Sequence, residues 1–427
     1  MGEAKLTKSV QKSDRLFNRP ASVINLRDEM TMEVDVARHA FMLAPMPSDG
    51  ELSELLKRHR VIVCAGAGGV GKTSMSAALA TLGASMGRRT LCLTIDPARR
   101  LAQAFGVHDF AGKELDVSEQ ILPVSTRAAG GNLTLMMLDP RETFDEIVEA
   151  GMSGEDVARR VLSHRVYDHL AKNLAGTQAY MAMEKVCSVA RDPRYDLIIL
   201  DTPPSARVLD FFDAPSRMSD ILDSPATRAL ITAMRSGDRL RPGVFGVGMR
   251  TAIAAMERVT GSSMLSEMAD LISLMNQLLG GFKQRAHDLS DIMKSPDFGY
   301  ILVTSPDAAV VADVQELARA MKQRGFQLSA LICNRVCPGG VAVASDEANN
   351  TQELNHFVSD AQLVKRILFA SDYEANRRAR QLQVLAELRA SLTEGHNTPL
   401  ICQVPELPVE LSEVHNVWRF AELLRAS

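Results

Sequence analysis

At 427 residues, the chain is long enough to bury a large core, either in one domain with an elaboration or in two domains. A hydrophobic content of 46%, a charged content of 23% and a net charge of −4 are typical of a soluble globular protein and argue against a nucleic-acid partner. No run of about 18 apolar residues predicts a transmembrane helix, and residues 1–30 lack the apolar core of a secretory signal, so we expect a cytoplasmic protein.

The first segment in chain order, residues 1–55, is predicted to be a polar N-terminal tail. It mixes charged residues and serine with a few apolar ones. Residues 34–43 (VDVARHAFML) fit a short helix docked on the body, but a partly ordered tail is at least as compatible with this composition, and both remain open. We expect residues 56–427 to form the folded domain.

From residue 60 onward, short apolar runs alternate with helical stretches. Seven runs rich in Val, Ile and Leu are predicted strands, at 61–65, 90–95, 133–138, 197–201, 300–304, 328–333 and 400–404. Runs that are apolar throughout are typical of strands covered on both faces, and the long helical segments between them favour parallel pairing; one crossover helix is predicted at 310–325. The sequence therefore predicts an α/β fold with a doubly wound, mostly parallel sheet.

One interval interrupts this alternation and is predicted to be a helical insertion at about 213–298. No convincing strand lies between Pro215 and Pro296, and eight of the chain's 21 methionines fall there. Residues 264–282 place Met and Leu on one stripe with helical spacing. A second helical stretch, 141–190, is a candidate to join this insertion.

The cysteine pattern is that of buried thiols. Four of the six cysteines lie in apolar runs rich in β-branched residues, which favours reduced core thiols in a cytoplasmic protein. Cys333 and Cys337 are close in sequence, but no second pair completes a structural zinc site.

A glycine-rich segment follows the first predicted strand and precedes a helical stretch. Gly66-x-x-x-x-Gly71-Lys72-Thr73 fits the Walker A pattern in the strand–loop–helix setting that the pattern requires. Glycines let backbone N–H groups converge on phosphate oxygens, and the positive end of the next helix adds to the attraction. Lys72 supplies a mobile charge for the β- and γ-phosphates, and the Thr73 hydroxyl is a ligand for Mg²⁺. We expect a nucleotide to bind to Gly68, Gly69, Val70, Gly71, Lys72, Thr73 and Ser74.

Two aspartates follow predicted strands at positions suited to this chemistry. Asp201 ends the strand 197–201, where a carboxylate can hold Mg²⁺ through water; because a phosphate loop accompanies it, we prefer this role to that of a turn or cap residue. Asp96 directly follows the second strand and precedes Pro97. It fits equally well as the residue that orients the attacking water and as a helix N-cap, and the residues alone leave both open.

The combination of motifs resembles that of the ArsA/Get3 family of P-loop ATPases, in the SIMIBI class. The segments that resemble the family's motifs are, in chain order, GGVGKTS (68–74), TIDPARR (94–100), LDP (138–140), DTPPSAR (201–207), ICNRV (332–336) and VPELP (404–408). The resemblance covers about residues 58–425 and looks closest to a bacterial branch found as paired paralogues.

The resemblance implies a catalytic role for four residues. Lys72 would bind the β- and γ-phosphates, and Thr73 would be a direct Mg²⁺ ligand. Asp201 would serve the Mg²⁺ shell. The resemblance also favours catalysis at Asp96, which would position or activate the hydrolytic water.

The resemblance further implies nucleotide contacts, cofactors and partners. Asn334 would contact the adenine, and Pro405 would belong to a C-terminal nucleotide loop. Mg²⁺ is the implied cofactor and ATP the substrate. The implied assembly is a homodimer or a heterodimer with a paralogue, in which segments 96–104 and 201–210 would couple the nucleotide state to the helical insertion.

The chain departs from the family pattern in three places. Many members carry a lysine that crosses the dimer to the partner's phosphates where this chain has Ala67, and Arg207 replaces a histidine of the second switch. The CxxC zinc clasp is absent, since residues 371–383 contain no cysteine. We expect the missing positive charge to come from Arg99, Arg100 or Arg207, or from a lysine-bearing paralogue.

Three functions are compatible with these features. An ATP-driven chaperone or targeting factor for hydrophobic membrane-protein segments is favoured by the methionine-rich insertion, although these methionines can equally fill an ordinary core. The ATPase subunit of an arsenite or anion efflux pump ranks lower, because As(III) prefers thiolates and residues 213–298 contain no cysteine. A slow nucleotide-dependent scaffold is the third.

Overall fold

The computed structural model describes residues 50–95, 100–107, 114–152, 154–163, 167, 177–202, 208–223, 284–338, 361–392, 398–407 and 414–425. The chain divides into two compact units, residues 1–46 with 407–410 and residues 47–406 with 411–427. Apart from Leu407, every described residue belongs to the second unit.

Eight of the described segments form one sheet. The strands are β1 (Val61–Gly66), β2 (Arg89–Thr94), β3 (Leu115–Asp116), β4 (Asn132–Met137), β5 (Leu197–Asp201), β6 (Phe298–Thr304), β7 (Leu328–Val336) and β8 (Leu400–Pro405). In the order β3-β4-β2-β5-β1-β6-β7-β8, every neighbouring pair is parallel except β3 and β4. The predicted doubly wound, mostly parallel α/β fold is confirmed.

The central strands explain why their sequences are apolar throughout. Every residue of β1, β5 and β6 is buried, since each strand has neighbours on both sides and helices on both faces. All seven predicted strands are present, with bounds that agree closely. The eighth strand, β3, pairs antiparallel with Thr134 and Leu135 in the middle of β4, and with two residues it is too short to produce a recognisable pattern.

Helices fill the connections between the strands. They are α1 (Glu51–Arg58), α2 (Lys72–Ser85), α3 (Arg100–Ala104), α4 (Ser118–Ile121), α5 (Val124–Ala128), α6 (Pro140–Gly151), α7 (Glu155–Leu162), α8 (Thr177–Ala190), α9 (Val208–Asp223), α10 (284–293), α11 (Ala308–Gln323), α12 (Ala361–Leu392) and α13 (Val414–Arg425). The predicted crossover helix at 310–325 is α11. Asp307 is its N-cap, and Gly325, with φ 83°, follows its C-terminal end.

The core lies on both faces of the sheet because side chains alternate along each strand. Val61, Val63 and Ala65 of β1 enter a core shared with α6, α8, α9 and α11. An aromatic group of Phe212, Tyr300 and Phe326 packs there, with ring centroids 4.7–5.5 Å apart. The opposite face is covered by α2, which also packs against α13.

Helix α1 lies at the boundary between the predicted tail and domain. It begins at Glu51, within the predicted tail 1–55, and buries Leu52 and Leu56 completely. Its last turn carries Lys57 and Arg58, whose positive charges interact favourably with the negative end of the helix dipole. The hypothesis of a short helix at 34–43 lies outside the described residues.

The described parts of the predicted helical insertion are helical except for residues 294–298, which form a turn and the first residue of β6. Helices α9 and α10 lie largely within 213–298, while residues 224–283, with most of its methionines, lie outside the described part of the chain. Met293 is buried, and Met218 packs against the same core. The stretch 141–190 contains α6 after its first residue, α7 and α8. The division into tail, domain and insertion stays a prediction.

Among the described residues, no helix combines the length and the apolar content that crossing a bilayer requires.

Candidate nucleotide-binding site

Three glycines shape the loop between β1 and α2. Gly66, Gly69 and Gly71 have φ angles of 154°, 77° and 93°, which favour glycine. A Cβ atom at Gly66 would lie 2.1 Å from the carbonyl oxygen of Val303 in β6. One at Gly71 would lie 2.5 Å from Asn334 Nδ2. Close neighbours therefore favour glycine at Gly66 and Gly71 in addition to the turn of the chain, whereas a Cβ atom at Gly69 would meet nothing within 4 Å.

Lys72 opens helix α2 and folds back over the loop. Its side chain is buried, and its ammonium group donates a hydrogen bond of 2.6 Å to the carbonyl oxygen of Ala67. The N-cap Gly71 provides no side-chain cap, so the first-turn N–H groups of α2 point out of the helix end, where an anion is favoured. A phosphate oxygen is a stronger acceptor than a carbonyl, so Lys72 needs only to exchange partners within the loop.

Asp201 is the buried carboxylate of the site. It ends β5, the strand next to β1, and is 1% exposed. Its Oδ2 accepts hydrogen bonds from Thr73 Oγ1 at 2.8 Å and Thr94 Oγ1 at 3.3 Å, and its Oδ1 accepts from Ser76 Oγ at 3.3 Å. Burial raises the pKa of Asp201 to about 6, against the opposing effect of these hydroxyls and of Lys72.

The oxygen set around Asp201 fits Mg²⁺. A hydroxyl and a carboxylate lie within hydrogen-bond distance of each other, and Mg²⁺ prefers hard oxygen ligands supplemented by water and substrate phosphates. Within the described ranges, no three His, Cys, Asp or Glu side chains cluster as a metal site. The magnesium would therefore be held by Thr73 and Asp201 together with oxygens that the nucleotide and water supply.

The predicted catalytic residue Asp96 lies outside the described residues, as do Arg99 and Arg207. The chain just before it is fixed: Ile95 donates its backbone N–H to the carbonyl oxygen of Asp201 at 3.3 Å. Ile95, the residue before Asp96, is therefore bound beside Asp201, and the roles of Asp96 in catalysis or capping stay predictions.

The two remaining predicted nucleotide contacts lie on the other side of β1. Asn334, near the end of β7, donates from Nδ2 to the carbonyl oxygen of Val70 at 2.9 Å, and its Oδ1 accepts from the N–H of Arg335 at 3.0 Å. Pro405 ends β8, the edge strand, paired with Val336. The structure thus joins Asn334 to the phosphate loop, while an adenine contact by either residue stays a prediction.

Sequence reasoning missed two members of the site. Ser76 and Thr94 both donate to Asp201. The position of Ser76, three residues after Thr73, was a usable signal, since residues three apart share a helix face. Thr94 had a weaker signal, because only the sheet order places β2 directly beside β5.

The parallel sheet, the glycine loop and the paired Thr73 and Asp201 define a P-loop nucleotide hydrolase. A family model described as "Anion-transporting ATPase" (ArsA) matches residues 59–374. The chain belongs to this family of ATPases, which confirms the resemblance inferred from its motifs.

Individual relatives are only 22–30% identical to this chain over the matched residues, and they bear different names. The chain is 22% identical over 291 residues to "Putative arsenical pump-driving ATPase 2" of Aquifex aeolicus, covering 65% of this chain and 81% of that protein. It is 30% identical over 161 residues to "ATPase ASNA1 homolog 1" of Paramecium tetraurelia and over 182 residues to "ATPase get3" of Schizosaccharomyces japonicus. These two matches cover 37% and 42% of this chain, and they span only 44% and 51% of the relatives.

Proposed function

We propose that this chain hydrolyses Mg²⁺-ATP at the loop between β1 and α2 and uses the cycle to switch conformation within a dimer. The observation that carries the proposal is the 2.8 Å contact between Thr73 Oγ1 and Asp201 Oδ2, one residue from Lys72. It supports the proposal because it joins, from two separate motifs, a hydroxyl suited to ligating Mg²⁺ and a carboxylate suited to its shell, next to a lysine suited to binding phosphate.

The chain's own residues have separable tasks in this hydrolysis. The loop amides and the end of α2 bind the phosphates, and Lys72 leaves Ala67 to neutralise the β- and γ-phosphates. Mg²⁺, when bound, neutralises charge that develops between the β- and γ-phosphates. Asp201 fixes the hydroxyl of Thr73, and Asp96 orients the attacking water.

The departure at Ala67 bears on the assembly. Ala67 has an uncharged methyl side chain, so this residue supplies no second cation. It is 4% exposed, and its carbonyl oxygen already accepts a hydrogen bond from Lys72. We infer that the charge comes from Arg99, Arg100 or Arg207, or from a paralogue in a heterodimer. Arg100, at the start of α3, is exposed and so is able to move towards a substrate.

The work coupled to hydrolysis is proposed to be the binding or targeting of hydrophobic membrane-protein segments. The support is the methionine content of the insertion, since flexible thioether side chains suit apolar surfaces of varied shape. The switch would run through segments 96–104 and 201–210, whose described residues include α3 and the start of α9.

A metalloid efflux ATPase is the second candidate, because one relative is named as an arsenical pump-driving ATPase. As(III) requires accessible thiolates. All six cysteines are free and buried, and burial raises the pKa of each thiol. Arsenite should therefore not stimulate ATP hydrolysis; a several-fold stimulation would favour this candidate over the first.

The direct test is ATP turnover with and without Mg²⁺. We expect EDTA to abolish phosphate release, and excess Mg²⁺ to restore it. An apolar helical peptide should change the rate in the wild type, while a charged helical peptide of equal length should not. Absence of ATP binding to the folded wild-type chain would overturn the proposed activity, and equal responses to both peptides would overturn the proposed client.

A further inference from the structure

Strand β7 ends in an irregularity beside the phosphate loop. Its pairing with β8 shifts register between Cys333 and Val336. Within this bulge, Arg335 has φ 61°, the one positive φ of a non-glycine residue in the described part of the chain. A bulky side chain rarely adopts this backbone conformation, which persists only where surrounding contacts hold it. Contacts on both sides of the bulge identify what holds it here.

On the side of the loop, the Asn334 amide connects the bulge to the phosphate loop. Asn334 is 8% exposed, and its Nδ2 donates to the Val70 carbonyl oxygen at 2.9 Å while its Oδ1 accepts from the Arg335 N–H. Nδ2 also lies 2.5 Å from where a Cβ atom at Gly71 would be. Both ends of the amide are therefore bound to main chain, and its Nδ2 end is bound two residues before Lys72.

On the other side, helix α12 holds the chain as it leaves β7. The backbone N–H of Cys337 donates to Gln381 Oε1 at 2.7 Å, and Gln381 is itself 8% exposed. Cys337 Sγ donates to Glu374 Oε2 at 3.0 Å. Arg377 bridges to Glu406 at 2.6 Å, just beyond β8. Two neighbouring strand ends are thus fixed to one helix.

We propose that Asn334 is a positioning residue of the phosphate loop, and that Gln381 of α12 positions Asn334 by fixing the bulge. The proposal rests on the proposed ATP site and adds a way in which the affinity of that site for phosphate is regulated. The connection runs from Gln381 to the Cys337 N–H, along the backbone of the bulge to Asn334, and from Asn334 Nδ2 to the Val70 carbonyl oxygen. A partner or state that displaces α12 loosens the loop, and phosphate affinity falls.

Positioning of the loop and recognition of the adenine predict different changes in ligand binding when Asn334 is replaced. A residue that reads the base changes the preference for ATP over GTP. A residue that positions the loop changes the affinity for every ligand with the same phosphates, including inorganic triphosphate, which has no base. Because Asn334 bonds to Val70 rather than to Lys72 or Asp201, its loss should raise KM and leave kcat nearly unchanged.

The first experiment measures binding of ATP, GTP and inorganic triphosphate to Asn334→Ala by calorimetry. Loss of a buried hydrogen bond predicts affinities about tenfold weaker for all three ligands, with the ATP/GTP ratio unchanged. Weaker binding of ATP alone, with normal binding of triphosphate, would overturn the positioning role in favour of base recognition.

The second experiment tests the connection to α12 and does not depend on nucleotide. In Gln381→Met the acceptor for the Cys337 N–H is removed at similar volume, and Gln383→Met, an exposed residue of the same helix, is the matched control. Hydrogen–deuterium exchange of amides 68–72 in the nucleotide-free protein should be faster in Gln381→Met and Asn334→Ala, and unchanged in Gln383→Met. Unchanged exchange in Gln381→Met would overturn the relay. Should the wild type bind no ATP, the proposed function fails, while the exchange data still decide the relay.

Discussion

Replacing Asp201 by asparagine should stabilise the nucleotide-free protein while removing its activity. The carboxylate is 1% exposed, and burial raises its pKa to about 6 from the ordinary 3.8. Asparagine resembles the protonated carboxyl in shape and charge, so the variant avoids the cost of burying a negative charge. Thr73, Ser76 and Thr94 keep a polar partner, since each hydroxyl can accept as well as donate.

The size of the effect follows from the two pKa values. The difference between about 6 and 3.8 corresponds to about 3 kcal/mol at ~1.4 kcal/mol per pH unit. Because the pKa is higher in the folded than in the unfolded state, the wild type loses this free energy of unfolding as the pH rises from about 4 to 7. The advantage of Asp201→Asn should therefore be complete above about pH 7 and vanish near pH 4. At ~2 °C per kcal/mol, the melting temperature should rise by about 6 °C at pH 8.

The assay is thermal unfolding in EDTA without nucleotide, at pH 8 and pH 5, with ATP turnover measured separately. Asp313→Asn, an exposed aspartate of α11, is the control and should shift neither property. A lower melting temperature for Asp201→Asn at pH 8 would show that the three hydrogen bonds outweigh the cost of burying the charge. A stabilisation of equal size at both pH values would refute the pKa argument.

Three further perturbations test other parts of the molecule. Lys72→Met should lower ATP turnover about 10³-fold, while the exposed Lys57→Met, assayed in parallel, should not; equal activities would contradict the assigned role. Gly66→Ala should cost about 2–4 kcal/mol in urea unfolding because its Cβ would meet the Val303 carbonyl oxygen at 2.1 Å, and a cost under about 1 kcal/mol would refute this. The bidentate Arg324 lowers the pKa of Asp213, so Asp213→Asn should destabilise the protein most above the ordinary carboxyl pKa of 3.8 and progressively less as the pH falls below it, with melting temperature as the measure. A pH-independent difference would assign the effect to packing.

The sequence by itself determined the fold class and the position of the phosphate loop. The apolar runs predicted β1, β2 and β4–β8 because a strand buried on both faces must be apolar throughout. The Walker A pattern predicted the loop because its glycines and Lys72 are contiguous and act together locally. Both the apolar runs and the Walker A pattern consist of residues that are neighbours in the chain, so a short stretch of sequence is enough to reveal them.

Only the tertiary structure decided which distant groups meet at the site. Asp201 is 125 residues from Ser76 and 107 from Thr94, yet all three come together because β5 lies between β1 and β2. Asn334 lies 264 residues from Val70 and carries no local sign of that contact. Strand order and register place these side chains, and both arise from packing of the whole sheet, which no short stretch of sequence encodes.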